Sequence, residues 1–244
     1  MGVTWQADPM FEHIRAAYFD LDGTLADTVD LILAGHAHAF HEHLGTSGPP
    51  RERVIGNMGR SLSQAIREYV AEGGCEDVEG VAEAILTTYR AFQWEHHQGL
   101  TRAYPGVRAV VDTLSAAGTV LAVVTSKVEW MARLTLADVG LDGSLPVGVF
   151  HDDTARHKPD PAPLLLAAER TGISPAETVY IGDSVHDVAA GRAAGMKTIA
   201  AGWGPFERAD LEAARPDAIA ARPLDLLDLI PGERETRRRP VGFA

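Results

Sequence analysis

Asp20 and Asp22 stand one residue apart in DLDGTL, directly after an apolar run. On a continuing strand, side chains two apart point the same way, so the two carboxylates would share a side. Held that close, they repel unless a cation or a proton lies between them. Read alone, the stretch could be only a turn, because Asp and Gly are common where strands end. Asp183 and Asp187, in GDSVHD, repeat the arrangement after a second apolar run. By themselves they could be a helix N-cap and a first-turn acid. Carboxylates converging from separate strand ends call for a hard, oxygen-preferring cation, and Mg2+ is the usual one. Lys158, in HKPDP, supplies a counter-charge, and Thr125 and Ser126 supply hydroxyl and backbone donors suited to phosphate oxygens. Those donors are compatible with capping the helix that follows.

Such residues need a scaffold that brings strand ends together. Apolar runs end at Phe19, Val124, Ile181 and Phe150, each followed by polar or Gly-bearing sequence. Short continuous apolar runs of this kind fit strands buried on both faces. The helical stretches Val128–Val139, Pro161–Arg170 and Val185–Ala194 alternate with them, each followed within two residues by Gly140, Gly172 or Gly195. Glycine past a helix end is a stop signal, and Pro161 suits a helix start. Strand–helix alternation predicts right-handed crossovers and a parallel sheet, with the site beyond the carboxyl ends of its strands. Residues 28–100 differ: Leu31–Leu44, Leu62–Ala71 and Val81–Trp94 are helical in pattern, with no comparable strand between them. This predicts a core of residues 1–27 and 101–231, a helical insertion over 28–100 and a solvated tail over 232–244.

Composition narrows the class. The chain has 244 residues, 45% hydrophobic and 23% charged, with a formal net charge of −12. So acidic a surface argues against nucleic-acid backbones and anionic membranes. Cys75 is the single cysteine, which excludes an intrachain disulfide and suits a reducing cytoplasm. No apolar stretch approaches the roughly 18 residues of a spanning helix, and Met1–Met10 lacks the pattern of a signal peptide. The expected protein is cytoplasmic, a monomer or homodimer that meets a small phosphorylated metabolite.

DLDGTL, the VVTSK segment, the lysine of HKPDP and GDSVHD together resemble, in order, the four motifs of the haloacid dehalogenase superfamily. The resemblance runs from about Ala16 to Ile230. AYPGV at Ala103–Val107 and GWGPF at Gly202–Phe206 are similar to the branch that contains phosphoglycolate phosphatases. It implies an α/β fold, a Rossmann-like parallel sheet with a helical cap domain inserted after the first strand. It also implies that Asp20 is the nucleophile that becomes an aspartyl phosphate, and that Asp22 is the general acid and then base. By the same resemblance Thr125 and Lys158 hold phosphoryl oxygens, with Lys158 also steadying Asp20, and Ser126 joins them as a neighbouring donor. Mg2+ is held by Asp20, the backbone carbonyl of Asp22 and Asp183, with Asp187 in support. Asp22 further favours phosphate chemistry over carbon–halogen cleavage, because a halide leaves without being protonated.

The expected activity is a Mg2+-dependent phosphatase with 2-phosphoglycolate as leading substrate. The alternatives are another small phosphorylated metabolite, pyrophosphate, or a phosphosugar mutase reaction. A phosphate-sensing protein on an inactive core is disfavoured, since a binding module has no use for an acid–base residue. His36, His38, His41 and His43 scatter round a helix and predict a solvated face rather than a metal site. Gly56 and Gly59, in GNMGRS, predict a turn between cap helices. In this family that turn can face the site, which makes Arg60 a candidate contact for an anionic leaving group.

Overall fold

The computed structural model describes residues 9–230. The N-terminal residues and the basic tail over 232–244 lie outside the described residues. Six parallel strands form the main sheet: β1 (Ala16–Phe19), β4 (Val120–Val124), β5 (Val147–Val149), β6 (Thr178–Gly182), β7 (Lys197–Ala201) and β8 (Ala218–Ala220). Their order across the sheet is β5-β4-β1-β6-β7-β8. Two short strands, β2 (Ala26–Asp27) and β3 (Arg102–Ala103), pair antiparallel. The helices are α1 (Val29–Leu44), α2 (Arg51–Asn57), α3 (Leu62–Glu72), α4 (Val78–Leu100), α5 (Val107–Ala116) and α6 (Glu129–Asp138). They continue with α7 (Ala162–Thr171), α8 (Val185–Ala193), α9 (Arg208–Ala214) and α10 (Leu226–Leu229).

Alternation along the strands builds two apolar layers. Ala17, Phe19, Leu121, Val123, Val179 and Ile181 pack with Val110 and Leu114 of α5 and Leu136 of α6. Ala16, Tyr18, Ala122, Val124 and Tyr180 face the other way, against Leu164 and Ala167 of α7 and Ala190 of α8. A parallel sheet covered by helices on both faces needs this all-apolar strand composition. The result is the α/β, Rossmann-like architecture that the alternation predicts.

Between β2 and β3 the chain makes the helices of a cap with an apolar centre of its own. Phe40 of α1, Ile66 and Val70 of α3, and Ile85 and Leu86 of α4 form it. Two local readings are corrected here. Gly56 lies inside α2, not in a turn; this seven-residue helix buries only Val54 and so shows no usable period in the sequence. Helix α4 runs well past Trp94, because its inward positions Gln93 and His97 are polar yet buried. Its start is fixed by Asp77, whose carboxylate accepts from the Gly80 N–H at 3.0 Å. No helix among the described residues is long and apolar enough to cross a membrane.

Candidate active site

Register puts the chemistry at one edge. Phe19, the last residue of β1, lies between Val123 of β4 and Ile181 of β6, so Asp20, Thr125 and Asp183 emerge together just beyond the strands. The Asp20 N–H still donates to the Ile181 carbonyl at 2.9 Å, which extends the sheet by one residue before the chain turns. Gly23 makes that turn with φ +85°, and a Cβ there would overlap the Asp183 carboxylate. Only glycine meets both requirements.

Lys158 is the hub. It is 3% exposed, and its Nζ donates to Asp20 Oδ1 at 2.8 Å, Asp187 Oδ1 at 2.7 Å and the Tyr180 hydroxyl at 3.0 Å. The Tyr180 hydroxyl donates onward to the Val124 carbonyl, 2.9 Å away. The Ser184 N–H and hydroxyl donate to the other Asp187 oxygen at 3.0 and 2.5 Å, which also closes the capping box of α8. Both Asp187 oxygens are thus occupied, and this carboxylate buttresses Lys158.

Asp183 differs. Its Oδ1 accepts from Thr24 Oγ1 at 3.0 Å, while its Oδ2 is buried with no hydrogen-bond partner. One oxygen each from Asp20, Asp183 and Asp187 lies within 4.8 Å of the others, and all three residues are buried. Burial pushes the Asp20 carboxyl up to about 7, with Lys158 opposing and Asp187 adding to the rise. Asp183 is held well above the usual carboxylate range by burial, then by Asp187 and Asp20. Burial also works against the charge on Lys158, but Asp187 and Asp20 outweigh it and keep its pKa well above that of an ordinary lysine. Three buried carboxylates facing one ammonium leave an excess of negative charge. The orphaned Asp183 oxygen and this all-oxygen donor set fit a hard divalent cation.

The Asp22 carboxylate lies outside that group, since β1 ends at Phe19 and Asp22 belongs to the turn. Its Oδ1 accepts from Lys127 Nζ and from Thr28 Oγ1, both at 2.7 Å. Thr125 and Ser126 follow β4 beside it, and Ser126 Oγ donates to the Gly59 carbonyl of the cap at 2.6 Å. His186 Nε2 is 3.0 Å from the Gly56 carbonyl, a second tie to the same cap segment. Between core and cap lies a cavity of about 110 Å³, lined by Asp20, Asp22, Thr125, Ser126, Lys127 and Arg60 among others. The Arg60 guanidinium already pairs with Glu68 at 2.7 and 3.1 Å and also bonds Asn57.

Sequence reasoning passed over Lys127, Thr24, Thr28 and Tyr180. Lys127 stands beside Thr125 and Ser126 in the quoted VVTSK, so a charge next to strand-end hydroxyls was the available signal. Tyr180 read only as an apolar strand residue. Among the described residues the histidines of α1 do not gather. His36 is buried with Nδ1 2.8 Å from the Ile32 carbonyl, His38 meets Glu42 at 3.5 Å, and His43 meets Thr88 at 2.8 Å.

Comparison with known proteins agrees with this geometry. The model of the haloacid dehalogenase-like hydrolase family matches residues 17–201. The pyrophosphatase PpaX of Bacillus mycoides is 35% identical over 89% of this chain and 97% of its own. The pyrophosphatase PpaX of Bacillus velezensis is 34% identical over the same shares. The crystal structure of a predicted phosphoglycolate phosphatase from Haemophilus somnus superposes with a TM-score of 0.78. It is 25% identical and covers 88% of this chain and 97% of that one.

Proposed function

The chain belongs to the haloacid dehalogenase-like hydrolase family, and on that premise we propose that it hydrolyses inorganic pyrophosphate with Mg2+ as cofactor. It is a phosphate-ester hydrolase with an aspartate nucleophile, and pyrophosphate would present the same phosphoryl group through an anhydride bond. The observation that carries the reading is the convergence of Asp20, Asp183 and Lys158 at one buried edge, under a cavity of only about 110 Å³. The relatives named pyrophosphatases support pyrophosphate over 2-phosphoglycolate, which becomes the second reading and rests on the AYPGV and GWGPF resemblance and on the name of a structural neighbour.

In the proposed mechanism an Asp20 carboxylate oxygen attacks phosphorus as the bond to the bridging oxygen breaks. Asp22 gives its proton to the departing phosphate. Water then attacks the aspartyl phosphate while Asp22 takes its proton, which releases the second phosphate and restores Asp20. Splitting hydrolysis into two displacements lowers each barrier. Lys158 holds Asp20 in line and faces the charge gathering on the transferring group, with Thr125 and Ser126 donating to its oxygens. Asp20, Asp183 and the Asp22 backbone carbonyl would hold Mg2+, which supplies charge neutralisation for the phosphoryl oxygens. Residues 28–100 act as the cap that closes over this edge and chooses the leaving group.

The test is phosphate release from pyrophosphate and from 2-phosphoglycolate, with Mg2+ and with excess chelator. The expected result is a higher kcat/KM on pyrophosphate, abolished by chelation. A tenfold preference for 2-phosphoglycolate would install the second reading, and no release from either would overturn both.

A further inference from the structure

The cations along the cavity differ in how far they are already satisfied. Lys127 is matched by Asp22 and Arg60 by Glu68, while Lys158, beneath the cavity, is matched by Asp20 and Asp187. Arg90, on α4 of the cap, lines the same cavity half-buried and has no hydrogen bond or ion pair among the described residues. Across from it, on the core side, His151 follows β5 and also lines the cavity; its Nδ1 is buried with no hydrogen-bond partner. The two are near enough to interact. Burial, then stacked His157, lowers the His151 pKa, and the positive charge of Arg90 lowers it further. His151 is therefore a neutral ring at neutral pH, with one N–H to give.

A half-buried guanidinium without a partner is costly unless something else satisfies it. A compact oxyanion does so, since phosphate and carboxylate both offer two oxygens in the spacing of a guanidinium fork. We propose that Arg90 and His151 form a subsite for an anionic group carried by the leaving half of the substrate. This rests on the reading of Asp20 as the phosphoryl-accepting end of the cavity. The substrate class is a small phosphate compound whose leaving group carries its own oxyanion, either the second phosphate of pyrophosphate or the carboxylate of a phosphorylated acid. Arg60, balanced by Glu68, is the cavity wall beside it. Arg90 and His151 are specificity residues, outside the chemical step itself.

The experiment compares wild type, Arg90→Gln, Arg90→Lys and His151→Ala on pyrophosphate, 2-phosphoglycolate and phenyl phosphate, whose leaving group carries no second anion. Matched thermal midpoints establish folding. Arg90→Gln is expected to lose about ten- to a hundredfold more kcat/KM on the preferred substrate with a second anionic group than on phenyl phosphate. Arg90→Lys falls between, and His151→Ala loses in the same direction by less. Calorimetry with methylenediphosphonate and Mg2+ gives a readout that needs no turnover, and its affinity should drop with Arg90→Gln by a similar factor. Equal losses on all substrates, or unaltered methylenediphosphonate affinity in folded Arg90→Gln, would overturn the subsite. A wild type inactive on all three substrates would instead sink the proposed function, while the calorimetric difference would still decide for or against Arg90.

Discussion

At the strand edge Lys158 has three hydrogen-bonded partners, Asp187 has both oxygens filled, and Tyr180 ties the set to the β4 backbone. In the cap, Arg90 has no partner among the described residues, and the wall of the cavity includes Ile32, Val54, Met58, Leu62 and Tyr69. The first region is a rigid polar network inside a parallel sheet, and the second is an apolar shell that carries loose charge. That division matches the work each must do. The phosphoryl group is common to every substrate of this class, so the residues that meet it can be fixed in advance. Whatever distinguishes one substrate from another must be met beyond that edge, chiefly by the insertion.

The substitution with the largest expected effect is at the strand edge. Asp20→Asn keeps the size and removes the nucleophile, so a folded protein should lose about a thousandfold or more in kcat on every substrate. Substrate-dependent losses would blur the division between edge and cap. Lys158→Met comes next. It leaves three buried carboxylates without their ammonium, and a cost of about 3–5 kcal/mol in unfolding free energy is expected alongside lost activity. Denaturant titration measures it, and added Mg2+ should recover part of the loss. An unchanged midpoint would mean that water reaches the carboxylates and the network is not the frame.

Smaller effects belong to the cap. Gly59 holds φ +87°, and a Cβ there would sit 2.7 Å from Ser184 Oγ, so Gly59→Ala should loosen the docking of the cap segment onto the core. KM should rise several-fold on all substrates with kcat less changed, a roughly 1 kcal/mol effect. An effect on kcat alone would place Gly59 with the chemistry instead.

The smallest effect concerns pH. Burial lowers the pKa of His36, which packs against Tyr69 and Tyr89 in the cap. The unfolded chain takes up this proton below about pH 6.5, and the folded chain only at lower pH. The unfolded state then binds more protons, so stability is lost as pH falls through that window. The difference in denaturant midpoint between pH 7.5 and 5.5 should therefore be larger for wild type than for His36→Gln. Equal slopes would mean that the His36 ring is reached by water.

What could be read from the sequence follows the same division. The strands β1, β4 and β6 are short apolar runs that stop at acidic or hydroxyl residues, so their chemistry sits next to the pattern that reveals it. Asp20 and Asp183 were legible for that reason, whereas Lys158, nine residues beyond β5, was legible from its HKPDP setting. Lys127 carried only the weaker signal of a charge beside strand-end hydroxyls, since its partner Asp22 is 105 residues away, and Arg90 carried none, since the cavity that it lines is made by folding. Helix α4 conceals buried Gln93 and His97, the latter bonded to Asp138 and Thr135 of α6 at 2.5 and 3.0 Å. A hydrophobic period cannot register polar residues that face inward.

The central claim is that Asp20 carries the phosphoryl group between the two displacements, and Asp22→Asn offers the most direct test. The 4-nitrophenolate group leaves without needing a proton, so this variant should still form the intermediate from radiolabelled 4-nitrophenyl phosphate but break it down slowly. Acid quenching followed by peptide mapping should recover one labelled phosphoryl group on the peptide containing Asp20, in step with a burst of nitrophenol. Nitrophenol release with the label on another residue, or with no labelled protein at any quench time, would contradict it.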